Sequence, residues 1–284
     1  MGTIFSIAID ATLITMILAL AAFGLAIIYG LIGVINMSHG AMLTLGAYFT
    51  WSGVGIGIPF VPAVLLAGVG VGLIGLLIEH LVLRHYYDRP FDTILLTWGF
   101  FIVATELVKI IFGAEFRNMA SPLPGAIDLG FYQIPAYRTA VAVFAGLVIG
   151  ASAIVFYRTS VGIRIRALVQ DREVASLLGL NIGKTYKLVF GFGAFMAGIA
   201  GGLIAPMLAV GPYMGDIYLV RSFFVVIVGG VGSLLSGTLV GSFIIGGSET
   251  ITAIFVDQSI AQVAVFVLAI LVLRFRPQGI FGEK

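Results

Sequence analysis

Long apolar runs alternate with short polar loops along nearly the whole chain. The hydropathy pattern gives nine runs, at residues 9–33, 41–52, 60–83, 92–112, 138–157, 188–209, 221–234, 237–255 and 259–273. A helix needs roughly 20 apolar residues to cross a hydrocarbon core about 30 Å thick. The runs 41–52 and 221–234 are too short for that, and we interpret them as half-helices or re-entrant pieces. The pattern predicts an all-α polytopic membrane protein with about 8–10 transmembrane segments, some of them short or broken, in one transmembrane domain over residues 1–284.

Composition supports this class and removes several others. Hydrophobic residues make up 60% of the chain and charged residues 10%, with a mean hydropathy of +1.16, which excludes a soluble globular domain. The chain has no cysteine and three histidines without the spacing of a metal site. We therefore expect no catalytic residue, no metal and no cofactor on this chain. The net charge of +2 gives no reason to expect a nucleic-acid partner.

Basic residues gather in three polar stretches, at 84–89, 158–187 and 274–284. Together these hold eleven of the fifteen lysines and arginines. The positive-inside rule places all three in the cytoplasm. The loop 113–137 is then external, and the same count of segments places the N-terminus outside.

The longest of these stretches, at 159–187, also carries helix signals. Asp171 is suited to cap a short helix followed by Arg172, because its carboxylate can accept free backbone N–H groups. Gly179 stands where a helix C′ residue is expected. Between them, helical spacing puts four apolar residues on one face: Val174, Ala175, Leu177 and Leu178. Two turns are not stable alone in water, so this face must pack on the protein's own helix ends, on the lipid surface or on a soluble partner with a groove.

Two polar or glycine-rich breaks interrupt the apolar pattern, one in each half of the chain. The first, at 35–40, contains Asn36, Ser38 and His39, and the second, at 228–233, contains Gly229 and Gly230. Paired breaks beside short segments are typical of helices that line a solute path. A plain turn between two spans is the alternative for the first break.

Ionisable residues inside apolar runs are a further signal of function. Glu249 has no basic residue near it in sequence, and we include it among the candidates for the solute path. Glu106 and Lys109 are three residues apart, so a structural ion pair is the favoured interpretation there. Glycine pairs four residues apart predict close helix packing: Gly68 and Gly72, Gly198 and Gly202, Gly237 and Gly241.

The chain resembles the membrane-spanning permease subunits of bacterial ABC importers for branched-chain amino acids and their relatives. The resemblance covers nearly the whole length and rests on stretches in a fixed order, at 29–30, 35–40, 45–48, 166–181, 186–187, 197–202, 225–241 and 276–282. It implies a permease domain in the bacterial inner membrane that pairs with a second permease subunit, similar or identical. It also implies two cytoplasmic ATPase subunits, which would bind ATP and magnesium, and a periplasmic solute-binding protein. The segment 159–187 would couple the permease to an ATPase, and the chain itself would not be an enzyme.

The resemblance leaves two solute classes open. Residues 91–99, which include Thr97 and Trp98, and residues 211–215 are similar to the urea and short-chain amide branch of the family. Thr97 and Trp98 therefore join the predicted solute path. Two departures from that branch are Ala41, where an acidic residue commonly follows His-Gly, and Arg221, where an aspartate usually precedes Ser-Phe. Branched-chain amino acid and urea or amide both stay as candidate solutes.

Two other mechanisms are possible for a chain of this composition. An ion-coupled secondary transporter would use Glu249 to bind the coupling ion, and a passive channel would pass a small neutral solute. Both fit the sequence less well, because no series of acidic residues runs through the spans and the cytoplasmic segment is large.

Overall fold

The computed structural model describes residues 2–128, 130, 132–230 and 233–281. Twelve α-helices and one β-hairpin are found within these residues. The helices are α1 Gly2–Ile32, α2 His39–Gly55, α3 Phe60–Leu81, α4 Pro90–Phe112, α5 Ala136–Arg158, α6 Ser160–Gln170, α7 Arg172–Leu177, α8 Ile182–Ile204, α9 Met214–Gly229, α10 Ser236–Ser242, α11 Ser248–Thr252 and α12 Gln258–Phe275. Single 3₁₀ turns follow α3 and α8, and a π-helical turn, Phe243–Gly247, joins α10 to α11.

Six helices are long and apolar enough to cross a membrane: α1, α3, α4, α5, α8 and α12. The predicted all-α polytopic fold is confirmed, and each of the nine apolar runs contains helix. The two short runs correspond to α2, with 17 residues, and α9, with 16 residues. Helix α9 begins at Met214, seven residues before its apolar run, because the first turns hold polar residues such as Asp216 that a hydropathy window excludes.

The short helix α2 lies in the centre of the molecule, in contact with α1, α3, α8 and α9. Its residues from His39 to Leu43 are all buried. The backbones approach closely because glycines face each other: Gly46 of α2 lies against Gly198 of α8, and Gly201 lies against the backbone of Leu43. A methyl group at these positions would overlap the neighbouring backbone, so glycine is required there.

The predicted glycine pairs are confirmed as packing sites within the chain. Gly68 and Gly72 of α3 lie against Ile199 and Phe195 of α8. In the same way Gly237 and Gly241 let α10 lie directly on the backbone of α9. Close approach of this kind increases van der Waals contact between helices where the hydrophobic effect contributes little.

Helices α4, α5 and α12 surround this core and bury only a small part of their apolar windows. Their outward residues are large and apolar, for example Leu95, Leu147 and Ile270. Apolar faces of this kind are suited to contact with the hydrocarbon core of a bilayer.

The long loop after α4 contains the only strands among the described residues. Strands β1 Ala126–Asp128 and β2 Gln133–Pro135 form an antiparallel hairpin, with Ile127 opposite Ile134. Directly before β2, the Tyr132 hydroxyl donates to the carboxylate of Asp10 in α1 at 2.6 Å. The loop 113–137 is therefore tied to the first turns of α1.

Candidate functional site

The segment 159–187 folds into two short helices and the start of α8, each with a side-chain cap. The carboxylate of Asp171 accepts from the backbone N–H groups of Glu173 and Val174, both at 2.9 Å, as predicted. Gly179 has φ +84°, the left-handed conformation expected of a C′ glycine. The Asn181 side chain then caps α8 by accepting from Lys184 N–H at 2.9 Å.

Helix α7 is held to the rest of the protein through its smallest apolar residue. Ala175 is 2% exposed and packs with Leu168 of α6 and Tyr186 of α8. The Tyr186 ring in turn packs edge-on against Tyr87, with centroids 5.0 Å apart. The loop between α3 and α4 therefore helps to hold α7 in place, because its Tyr87 packs on the same Tyr186 ring that contacts Ala175.

Polar contacts reinforce this support. The Tyr87 hydroxyl donates to the buried carboxylate of Glu79 at 2.7 Å. Burial raises the pKa of Tyr87, and the hydrogen bond to Glu79 raises it further, so the hydroxyl keeps its proton. Arg172 forms an ion pair with Asp88 at 3.0 Å and lies over the Tyr186 ring, 5.5 Å from its centroid.

The other three apolar residues of α7 and its C-cap are exposed. Val174 is 50% exposed, Leu177 87% and Leu178 76%. The prediction that Ala175 shares their face is wrong: Ala175 points inward and anchors the helix. The remaining three follow the i, i+3, i+4 spacing of one helical stripe. We call this stripe the α7 face.

The polar side chains of the first predicted break, between α1 and α2, are fully buried, and two of them are hydrogen-bonded to each other. The Asn36 side-chain oxygen Oδ1 accepts from the Ser38 N–H at 3.1 Å and from the Ser38 hydroxyl. His39 lies 2.8 Å from the carbonyl oxygen of Ala21 through Nε2. Its Nδ1 is buried without a partner.

Thr97 of α4 joins this break, and Trp98 does not. The Thr97 hydroxyl is fully buried and accepts from the Met37 N–H at 3.1 Å. Trp98, the next residue, is 50% exposed on the outer face of α4. The structure thus brings Asn36, Ser38, His39 and Thr97 into one cluster and places Trp98 outside it.

The second break lies at the C-terminal end of α9 and is hydrogen-bonded to the C-terminal segment of the chain. Ile280 and Phe281 donate backbone N–H bonds to the carbonyl oxygens of Val228 and Gly229, at 2.9 and 3.1 Å. Gly230 has φ +107°. Residues 231 and 232 of the predicted break lie outside the described residues. A gap of about 10 Å³ between this break and Gly30 of α1 has room for about one water molecule.

Glu249 has two side-chain partners in the folded protein. Its carboxylate accepts from Arg221 of α9 and from the Gln258 side chain, both at 2.7 Å. The glutamate is almost completely buried and the arginine largely so. Arg221 lies eight residues before Gly229, which is about 12 Å along α9, so this ion pair is separate from the second break. By contrast, the favoured ion pair between Glu106 and Lys109 is confirmed at 2.6 Å.

Apart from Trp98, the predicted solute-path residues therefore form three separate groups, one at each break and one around Glu249. Contact of any of them with solute stays a prediction. The α7 face is the one group that is both preorganised and exposed.

The family model described as "Branched-chain amino acid transport system / permease component" matches residues 7–274. The chain belongs to this permease family. The prediction of an ABC importer permease is confirmed by this match and by the curated relatives.

Three relatives of this permease come from distant organisms. LivH of Escherichia coli strain K12, a high-affinity branched-chain amino acid transport system permease protein, is 28% identical over 93% of this chain and 91% of its own. BraD of Pseudomonas aeruginosa, of the same description, is 27% identical with the same coverage. The probable LivH of Methanocaldococcus jannaschii is 29% identical over 94% of this chain and 89% of its own. No solved structure gives a significant match.

Sequence reasoning missed the residues that hold these sites in place. Arg221 is noted as a departure from one branch but not as the partner of Glu249, which lies 28 residues later. Tyr87 and Asp88, which support α7, are separated from their partners by many residues. One signal was available: an arginine inside a membrane helix requires an anionic partner.

Proposed function

We propose that this permease imports a branched-chain amino acid into the cytoplasm, and that a cytoplasmic ATPase subunit binds the α7 face to drive the transport. The chain forms one transmembrane domain over residues 1–284, with the segment 159–187 and the C-terminus in the cytoplasm. ATP and magnesium bind to the partner subunits, so this chain is not an enzyme and holds no cofactor of its own. A second permease subunit, similar or identical, and a periplasmic solute-binding protein complete the transporter.

The observation that carries the proposal is the exposed α7 face on a rigid support. Val174, Leu177 and Leu178 present a narrow apolar stripe, which is the kind of surface that a groove on a soluble protein recognises. Asp171, Ala175 and the ion pair of Arg172 with Asp88 fix its position. A rigid helix directly before the start of α8 can transmit movement from an ATPase to the membrane helices.

Charge supports the orientation. Exposed basic residues surround the α7 face in the segment 159–187, and further basic residues lie in the 84–89 loop and at Arg274 and Arg276. Lys284, which the sequence also places in the cytoplasm, lies outside the described residues. The 84–89 loop and the segment 159–187 contact each other through the ion pair of Asp88 with Arg172. Because they touch, the two must lie on the same side of the membrane.

The printed names of the relatives support a branched-chain amino acid over urea or an amide. Arg221 is a second argument, because it departs from the amide branch and forms an ion pair that the aspartate of that branch could not form. The buried Arg221–Glu249 pair also argues against ion coupling, since Glu249 is already neutralised by a fixed partner.

Uptake in intact cells tests the proposal. A strain that lacks this gene is complemented with the wild type, with Leu178→Asp or with Val169→Asp, and labelled leucine and labelled urea are supplied at low concentration. We expect the wild type and the Val169→Asp control to restore leucine uptake, while Leu178→Asp does not despite normal membrane levels. Restored urea uptake without leucine uptake would overturn the solute assignment, and full activity of Leu178→Asp would overturn the docking assignment.

A further inference from the structure

An apolar groove of about 600 Å³ lies between α1, α5, α6 and α8. None of its lining residues belongs to the α7 face or to the first break, and Leu234, which directly follows the second break, borders both the groove and the small gap there. Its walls include Phe23 of α1, Val155 of α5 and Phe192 of α8. Leu188, Phe192 and Val155 are each about half exposed or more, so the groove opens to the surroundings of the protein.

The groove is apolar along its length and basic at one end. Among the described lining residues, polar side chains come from Ser152, Arg164 and Thr185 alone, and no acidic residue takes part. Arg164 is exposed. It belongs to none of the four ion pairs found among the described residues.

Further basic residues lie close to this end in the chain. Arg158 is the last residue of α5, and Lys184 and Lys187 lie in the first two turns of α8, beside the lining residues Thr185 and Leu188. None of these three forms an ion pair in the described part of the chain. The end of the groove therefore has a local excess of positive charge.

The length of the groove matches one leaflet of a bilayer. Along α8 it extends from Thr185 to Met196, eleven residues or about 16 Å. This is about half of a hydrocarbon core about 30 Å thick. The basic end lies where the membrane-length helix α5 ends and α8 begins, which is where the membrane surface is expected, and a groove of this length would then reach the middle of the bilayer.

We propose that this groove binds an anionic phospholipid, with one acyl chain between α1, α5 and α8 and its phosphate on Arg164. Arginine suits a phosphate because its planar guanidinium donates two parallel hydrogen bonds. The walls suit a chain of methylene groups, since each one buried adds to the hydrophobic effect.

A second protein and a transported solute fit the groove less well. Its lining continues into the lipid-facing sides of α5, where Leu147 and Ile154 are exposed. A polar solute would find few hydrogen-bond partners along these walls. The lipid site is therefore distinct from the transport function proposed above, and it does not depend on the identity of the solute.

Photolabelling of the complete transporter in nanodiscs tests the proposal. Two probes carry the same diazirine acyl chain, one on phosphatidylglycerol and one on phosphatidylcholine, and mass spectrometry locates the label. We expect the phosphatidylglycerol probe to label residues 148–165 and 185–196 more strongly than the phosphatidylcholine probe. Equal labelling by both probes would overturn the charge argument.

Two variants separate the headgroup from the acyl chain. Arg164→Gln should lower the preference for phosphatidylglycerol about fivefold, the effect of one basic side chain near an anionic surface. Ala151→Phe fills the groove and should reduce labelling by both probes. Arg89→Gln removes a charge from another loop, and Val143→Phe adds a ring to α5 outside the groove, so both controls should label like the wild type.

Two results would contradict the assignment. Unchanged headgroup preference in Arg164→Gln would show that this residue does not hold the phosphate. The native chain has no cysteine, so Ala151→Cys gives a single reactive site. Efficient disulfide formation between two copies of this variant in the intact transporter would show that a second permease subunit covers the groove.

Discussion

The ion pair between Arg221 and Glu249 allows a quantitative prediction about the fold. The two groups are 2.7 Å apart, with side chains 15% and 6% exposed. Two unit charges about 4 Å apart attract by about 4 kcal/mol at an effective dielectric constant near 20. Removal of one partner leaves the other buried without compensation, which costs about 3–5 kcal/mol.

We therefore expect Arg221→Met and Glu249→Met each to destabilise the permease strongly. At roughly 2–3 °C per kcal/mol, the thermal midpoint of the purified protein should fall by roughly 6–15 °C. The double variant should recover most of this loss, because buried ion pairs replaced by apolar residues are often neutral in stability.

The ion pair of Lys109 with Glu106 is a matched control. Its distance is 2.6 Å, but its side chains are 24% and 56% exposed. Lys109→Met should cost at most about 1 kcal/mol, because the pair lies in the last two turns of α4, where long side chains reach the membrane surface and water screens the charges. If the Arg221 and Glu249 variants are no less stable than this control, or if the double variant is as unstable as the sum of the two, the buried pair is not a structural element.

Three further variants test other parts of the account. Leu177→Ser combined with Leu178→Ser should weaken binding of the ATPase roughly 100-fold in a pull-down titration, since about 3 kcal/mol of apolar burial is lost. Asp171→Ala should cost α7 about 1 kcal/mol and speed hydrogen exchange at its first amides, whereas Asp171→Asn should keep the cap. Gly201→Val should give no folded protein by size-exclusion chromatography because α2 leaves no space, and Gly150→Val, where space is open, should fold normally.

Local signals in the sequence are sufficient for the membrane helices and for the two ends of α7. Asp171 and Gly179 are predicted in their roles because a cap and a C′ glycine act on backbone groups within three residues. The apolar runs predict the membrane helices because a helix that contacts lipid must itself be apolar, and this property lies within its own sequence. Gly198 and Gly68 are predicted as packing sites because small residues have few other uses inside a span.

The side-chain positions and partners that the sequence does not predict depend on contacts between distant segments. The inward position of Ala175 depends on Tyr186 and Leu168, which helical spacing alone does not reveal. Glu249 is isolated in sequence but paired in space, because α9 and α11 come together only in the folded protein. Trp98 follows Thr97 directly and yet faces outward, since neighbouring residues in a helix point in different directions.

Site-specific cross-linking at the α7 face tests the central claim most directly. The native chain contains no cysteine, so Leu177→Cys and the buried control Ala175→Cys each give this chain one thiol. We predict that a short reagent with a maleimide at one end and an amine-reactive ester at the other joins the Leu177→Cys variant to a lysine of the ATPase subunit and leaves the control unlinked. Efficient linkage to the solute-binding protein, or labelling of the Leu177→Cys variant from outside intact cells, would contradict the docking of the ATPase on α7.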